Sequence, residues 1–125
     1  MEELLKKLRY KEGRALIMNA PEGYSLGIES DVSPEGTYDF VQLFVQNRED
    51  VKKWFADTIP FLKDDALLWV TYPKKTSKIK TDINRDVLRT MVEEETPYRT
   101  VTLVAVDETW SALRFRHVDK VKTKK

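Results

Sequence analysis

Seven consecutive residues, Lys74-Lys75-Thr76-Ser77-Lys78-Ile79-Lys80, hold four lysines and two hydroxyls, donor types that grip a phosphate or a carboxylate. They follow an apolar run at 66–72, ALLWVTY, that ends against Pro73, and they precede a segment of helical spacing. The loop would therefore bring its cations to a helix N-terminus, whose free N–H groups and positive dipole end also favour an anion. Lys74 has the best-defined direction because it follows the proline. The loop has no glycine, unlike a P-loop, which uses glycines to aim backbone donors at phosphate. An exposed loop made lysine-rich for solubility has the same composition, and composition does not separate the two readings.

Other polar residues fall where they can join such a site. Asn19 and Glu22 lie in the turn NAPEGY at 19–24, and Asp107, Trp110 and Ser111 lie around a short turn near the C-terminus. Trp110 can stack on a planar ligand or pack in a core. Glu22 would act as a general base only with a pKa raised by burial. Arg114 and Arg116 alternate with apolar residues and read as a solvent-facing, ion-pairing row. His117 is the one histidine and there is no cysteine, so paired-histidine metal sites, thiolate nucleophiles and disulfides have no material. No metal site and no catalytic set are expected.

At 125 residues the chain suits a single domain, here residues 1–119, with 120–125 a charged tail expected to be solvated and frayed. Apolar residues make up 41% and charged residues 34%, and the charges nearly cancel to +1, which leaves no excess positive field for binding nucleic acid. The first residues are charged and amphipathic rather than signal-like, and no apolar run approaches the roughly 20 residues of a membrane span. A soluble, cytoplasmic protein is expected.

The elements that must position these residues alternate. Leu4, Leu5 and Leu8 form one stripe of a short helix that Gly13 should end, and RALIMN at 14–19 reads as a first strand. Residues 24–37 have no clear pattern. YDFVQLFVQ at 38–46 is a second strand, Asn47 caps a helix carrying Val51, Trp54, Phe55 and Ile59, and Lys63-Asp64-Asp65 makes a turn into the third strand at 66–72. Thr81 or Asp82 should cap a helix with Ile83, Val87, Leu88 and Met91 on one stripe, whose acidic end at Glu93-Glu94-Glu95 opposes the helix dipole. Runs at 100–106 and 110–118, joined by Asp107-Glu108-Thr109, form an antiparallel hairpin. This order predicts an α/β fold: a Rossmann-like three-layer sandwich of five main strands in the order 1-2-3-5-4, the last one antiparallel.

The succession YDFVQLFVQ, LKDDA, LLWVTYP and a closing hairpin resembles the C-terminal half of the Rossmann-like S-adenosylmethionine-dependent methyltransferases. Where that family has a glycine-rich turn and then an acidic strand end for the ribose, this chain has Asn19-Ala20-Pro21-Glu22-Gly23-Tyr24, with Glu29 or Asp31 left to stand in for the acid. The resemblance therefore implies a shortened outline of that fold and no cofactor. The phrases NAPEGY at 19–24, YDFVQLF at 38–44, LLWVTYPKKTSKIKTDINRD at 67–86 and DETWSALRFR at 107–116 are similar to a family of small bacterial proteins, domain of unknown function 3052, which implies fold and location without an activity.

In open α/β sheets ligands sit at the carboxyl ends of the parallel strands. The loops at 19–24, 46–48, 73–80 and 107–110 should meet there, making Lys74, Lys75, Ser77, Asn19, Glu22 and Trp110 the candidate ligand-binding set. The leading reading is a non-catalytic domain for an anionic small molecule or a protein partner. The alternative is a small transferase-like enzyme using the same edge.

Overall fold

Leu4, Leu5 and Leu8 do share one helical stripe. The computed structural model, which describes residues 2–10, 13–21, 24, 30–31, 35–74 and 81–118, places them on and just after a helix, α1 (Glu2–Lys7). Leu8 is fully buried, and Leu4 and Leu5 pack on the same core. The helix stops earlier than Gly13. Arg9 N–H bonds Lys6 O at 3.0 Å and Tyr10 N–H bonds Leu5 O at 3.1 Å, the paired closure that satisfies the last helical carbonyls. Arg9 sits at φ 65, taking the left-handed position usually given to glycine.

Four further apolar runs become the strands β1 (Ala15–Met18), β2 (Tyr38–Phe44), β3 (Leu62–Pro73) and β5 (Trp110–His117), with β4 (Tyr98–Ala105) more exposed. They form a mixed sheet in the order β1-β2-β3-β5-β4, in which β1, β2 and β3 are parallel and β5 is antiparallel to both β3 and β4. Beyond β1, Asp31 adds a single parallel rung against Leu16, which the expected strand order leaves out. The helices α2 (Arg48–Thr58) and α3 (Arg85–Glu95) connect β2 to β3 and β3 to β4. None of the helices among the described residues is long and apolar enough to cross a membrane.

Strand alternation sorts the side chains onto two faces. Leu16, Met18, Val41, Leu43, Leu68, Val70, Leu113 and Phe115 meet Val51 and Phe55 of α2 and Leu88 and Val92 of α3. Ala15, Ile17, Phe40, Phe44, Trp69, Trp110 and Ala112 meet Leu8, with α1 and Tyr24 packed against them. Each fully buried Leu or Phe on these faces contributes about 1.5–3 kcal/mol relative to exposure.

Several boundaries differ from expectation. β3 begins at Leu62, so Lys63-Asp64-Asp65 is strand and not turn; Tyr38 pairs Leu62, and a register shift before Phe40 absorbs the extra residues. The pairing of Leu62 with Tyr38 anchors this early start. The cap of α3 is Asn84, whose side chain accepts from Val87 N–H at 2.9 Å, and not Thr81 or Asp82. The acidic end of α3 is answered by Arg99, which donates to the carbonyls of Glu93, Thr96 and Tyr98. Arg114 is buried at 9% exposure and not solvent-facing, because it lies opposite Trp69 on the face of β5 that Trp110 and Ala112 turn to the second core. The expected tail at 120–125 lies outside the described residues.

Gly13, at φ +106, lets the chain enter β1 beside Asp39; a Cβ there would lie 2.6 Å from Asp39 Cγ and 2.9 Å from its Cβ. Gly13→Ala should therefore cost about 1–3 kcal/mol, from the left-handed backbone and the clash with a strand residue. Urea unfolding checks this, as a lower midpoint at unchanged slope.

Candidate functional site

The carboxyl ends of β1, β2 and β3 are joined to one another by hydrogen bonds from loop residues. After β1 the chain turns at Asn19, which holds φ 59, and its Nδ2 donates to Phe44 O at the end of β2, 2.9 Å away. After β2, Asn47 accepts from Asp50 N–H at 2.9 Å while Asp50 accepts from Gln46 N–H at 2.9 Å, so the entry to α2 is tied from both sides. Arg48 N–H then bonds Asp82 Oδ1 at 2.8 Å, fastening this loop to the approach to α3. After β3, Lys74 N–H bonds Thr109 O at 2.7 Å, and Asp107 Oδ1 accepts from both Thr109 and Trp110 N–H to shape the hairpin tip.

Of the six residues expected from sequence, Asn19, Lys74 and Trp110 are described, all at this edge, whereas Glu22, Lys75 and Ser77 lie outside the described residues. Asn19 is exposed and Lys74 half-buried. Trp110 is 6% exposed and stands edge-on to Phe44 at 5.1 Å, so its ring is taken up in the core. The expected helix end offers an anion less than the sequence implied, since Asn84 occupies the Val87 N–H and Asp86 stands in the first turn. His117 lies at the far end of β5, its ring edge-on to Tyr98. Among the described residues no group of three or more acidic or histidine side chains is gathered to hold a metal ion.

Beneath the edge runs a chain of polar groups that sequence reasoning missed. Tyr24 OH donates to Gln42 Oε1 at 2.8 Å, and Gln42 Nε2 donates to Thr71 Oγ1 at 2.9 Å. Gln42 and Thr71 are completely buried on neighbouring strands. Tyr24 also stacks edge-on against Phe44 at 4.7 Å, so one aromatic row runs from Tyr24 through Phe44 to Trp110. The available signal was a lone polar residue inside each of two apolar runs, FVQLF at 40–44 and LLWVTY at 67–72, since buried polar groups need partners. Nothing in the unpatterned stretch marked Tyr24.

The opposite end of the sheet holds a cavity of about 330 Å³ lined by Tyr10, Gly13, Arg14, Ser30, Asp31 and Tyr38. Its polar groups serve the fold. The Arg14 guanidinium bonds Thr37 O, Glu35 O and the Asp31 carboxylate and lies over the Tyr38 ring at 4.4 Å, while Tyr38 OH donates to Asp31. Asp31, considered as a ribose acid, is thus committed to Arg14 and Tyr38 away from the carboxyl edge; Glu29 lies outside the described residues. No family model, curated protein or solved structure matches the chain.

Burial pushes the Tyr24 phenol up to about 12, with the Asp107 carboxylate adding to the rise and the Gln42 bond opposing it. The stability carried by the neutral phenol is full below pH 10 and lost as pH rises towards about 12. Tyr24→Phe should lessen that alkaline loss while costing about 1 kcal/mol at neutral pH, read from thermal melts across the range. At the other end, the Arg14 amide, with Lys63 behind it, holds Asp39 below the usual carboxylate range. Its contribution is present at neutral pH and lost on acidification through that lowered value. Asp39→Asn should flatten the acid limb of the stability curve and cost about 1 kcal/mol or less at pH 7, because the Lys63 pair is half exposed.

Proposed function

We propose that the protein is a cytoplasmic, non-catalytic binding domain on a shortened Rossmann-like three-layer frame. It holds an anionic small molecule or a protein partner at the carboxyl edge of its sheet. Lys74 and Lys75 supply the main positive charge, with Ser77, Asn19 and Glu22 as polar neighbours, and Trp110 supports the edge by packing beneath it.

One observation supports this reading above the rest. The lysine segment leaves from Lys74, whose amide bonds Thr109, and rejoins described chain before Asp82, whose carboxylate bonds the Arg48 amide. Both of its ends are therefore held at the same edge as Asn19, and a loop closed between fixed ends loses less entropy on gripping a ligand than a free one. The surrounding groups fit binding better than catalysis, since Trp110, Gln42 and Thr71 are committed to packing or to one another.

A thermal-shift series with inorganic pyrophosphate, nucleotides, sugar phosphates and S-adenosylmethionine tests the small-molecule arm. A bound anion at a hundredfold excess over its Kd adds about 2.7 kcal/mol, a rise of several degrees. The double variant Lys74→Glu, Lys75→Glu should still melt cooperatively alone, lose that rise, and lose capture of a protein partner. Wild type and variant that behave alike towards every anion and capture the same proteins would sink the reading.

A further inference from the structure

The two edges of the sheet are finished differently. At β1 the chain covers its own edge: Ile17 N–H bonds Asp31 O and Asp31 N–H bonds Ala15 O, both at 2.9 Å. At β4 no such cover exists among the described residues. Val106 N–H donates to Trp110 O across the hairpin, and because backbone groups alternate sides along a strand, those of Val104 also face β5 while those of Leu103 and Ala105 face outward. Neither Leu103 nor Ala105 makes a backbone bond outside the sheet to another of the described residues. Closer to the start of the strand the edge is blunted, since Glu93 takes the Thr100 amide at 2.9 Å and Val101 is the extra residue of a bulge.

The open run is also where apolar surface collects. Among the described residues the exposed large hydrophobic side chains are Val101 at 41%, Leu103 at 44% and Val118 at 38%. Two belong to β4, and Val118 bonds Pro97 just before it. Residues 100–106, TVTLVAV, contain no charge and no proline, the usual devices that keep an edge from pairing.

We propose that β4 is a self-association edge, at which two copies of this chain pair antiparallel about a two-fold axis at Val104, Leu103 of each copy opposite Ala105 of the other, and continue one sheet into the other. A second copy is the occupant that the strand fits, because two-fold antiparallel pairing sets it against itself. The neutral run meets a neutral run with no charge desolvated. The nearest flanking charges, Arg99 before it and Asp107 after it, are opposite in sign, so antiparallel pairing sets the positive end of each run near the negative end of the other and brings no like charges together. Leu103 of each copy then covers apolar surface of the other. A pairing this short lies at the low end of interface sizes, so the dimer forms reversibly with rising concentration.

Analytical ultracentrifugation of the whole chain over a wide micromolar range tests this, together with amide exchange at low and high concentration. The average mass should rise from one chain towards two, and the Leu103 and Ala105 amides should exchange more slowly at the higher concentration. Leu103→Lys, at an exposed position, should keep the wild-type melting temperature and remain at one chain throughout. Three results overturn the proposal: a wild type that stays monomeric, a Leu103→Lys variant that dimerises equally, or a dimer whose Leu103 and Ala105 amides exchange as in the monomer. Should the variant fail to fold, exchange in the wild-type chain decides alone.

Discussion

β3 is the strand on which the rest of the structure depends, because from Leu68 to Thr71 it is paired on both edges and buried on both faces. It bonds β2 in parallel and β5 antiparallel, so its backbone closes the parallel half of the sheet onto the hairpin half. Leu68 and Val70 point into the core under α2 and α3, and Trp69 into the core under α1. A strand so enclosed must be apolar almost throughout, and any polar group it carries must find a partner inside the protein.

Trp69 and Thr71 show how that requirement organises the second face. The Trp69 indole N–H, completely buried, donates to Leu8 O at 2.9 Å, across 61 residues of sequence. Leu8 O accepts from the tryptophan because α1 ends before it, which ties the left-handed turn at Arg9 to the centre of the sheet. Thr71 receives Gln42, and Gln42 receives Tyr24, so the segment after β1 is drawn onto the same face. A buried chain of this kind specifies one arrangement, since breaking any link strands a polar group away from water.

The carboxyl edge inherits its order from these contacts. Lys74 leaves β3 at a fixed point because its amide is bonded to the hairpin tip, and the tip is shaped by Asp107. At the amino edge the chain uses its charges differently: Arg14, Asp31 and Asp39 clasp the entry to β1 and β2. One end of the sheet is thus held by an arginine among carboxylates, and the other by the Asp50, Asp82 and Asp107 carboxylates, which take backbone N–H groups.

By itself the sequence determined the mixed α/β character, the Asn47 cap and the short hairpin turn. These are local matters: apolar period, cap chemistry and turn residues act over a few positions. The tertiary structure alone decided the start of β3 at Leu62, the burial of Arg114 and the Tyr24–Gln42–Thr71 chain. Each depends on a partner distant in sequence, such as Tyr38 for Leu62 or Thr71 for Gln42, and a single sequence carries no record of which distant residue will lie opposite. The open edge at β4 belongs to the same class, because a strand is an edge only by virtue of what does not pair with it.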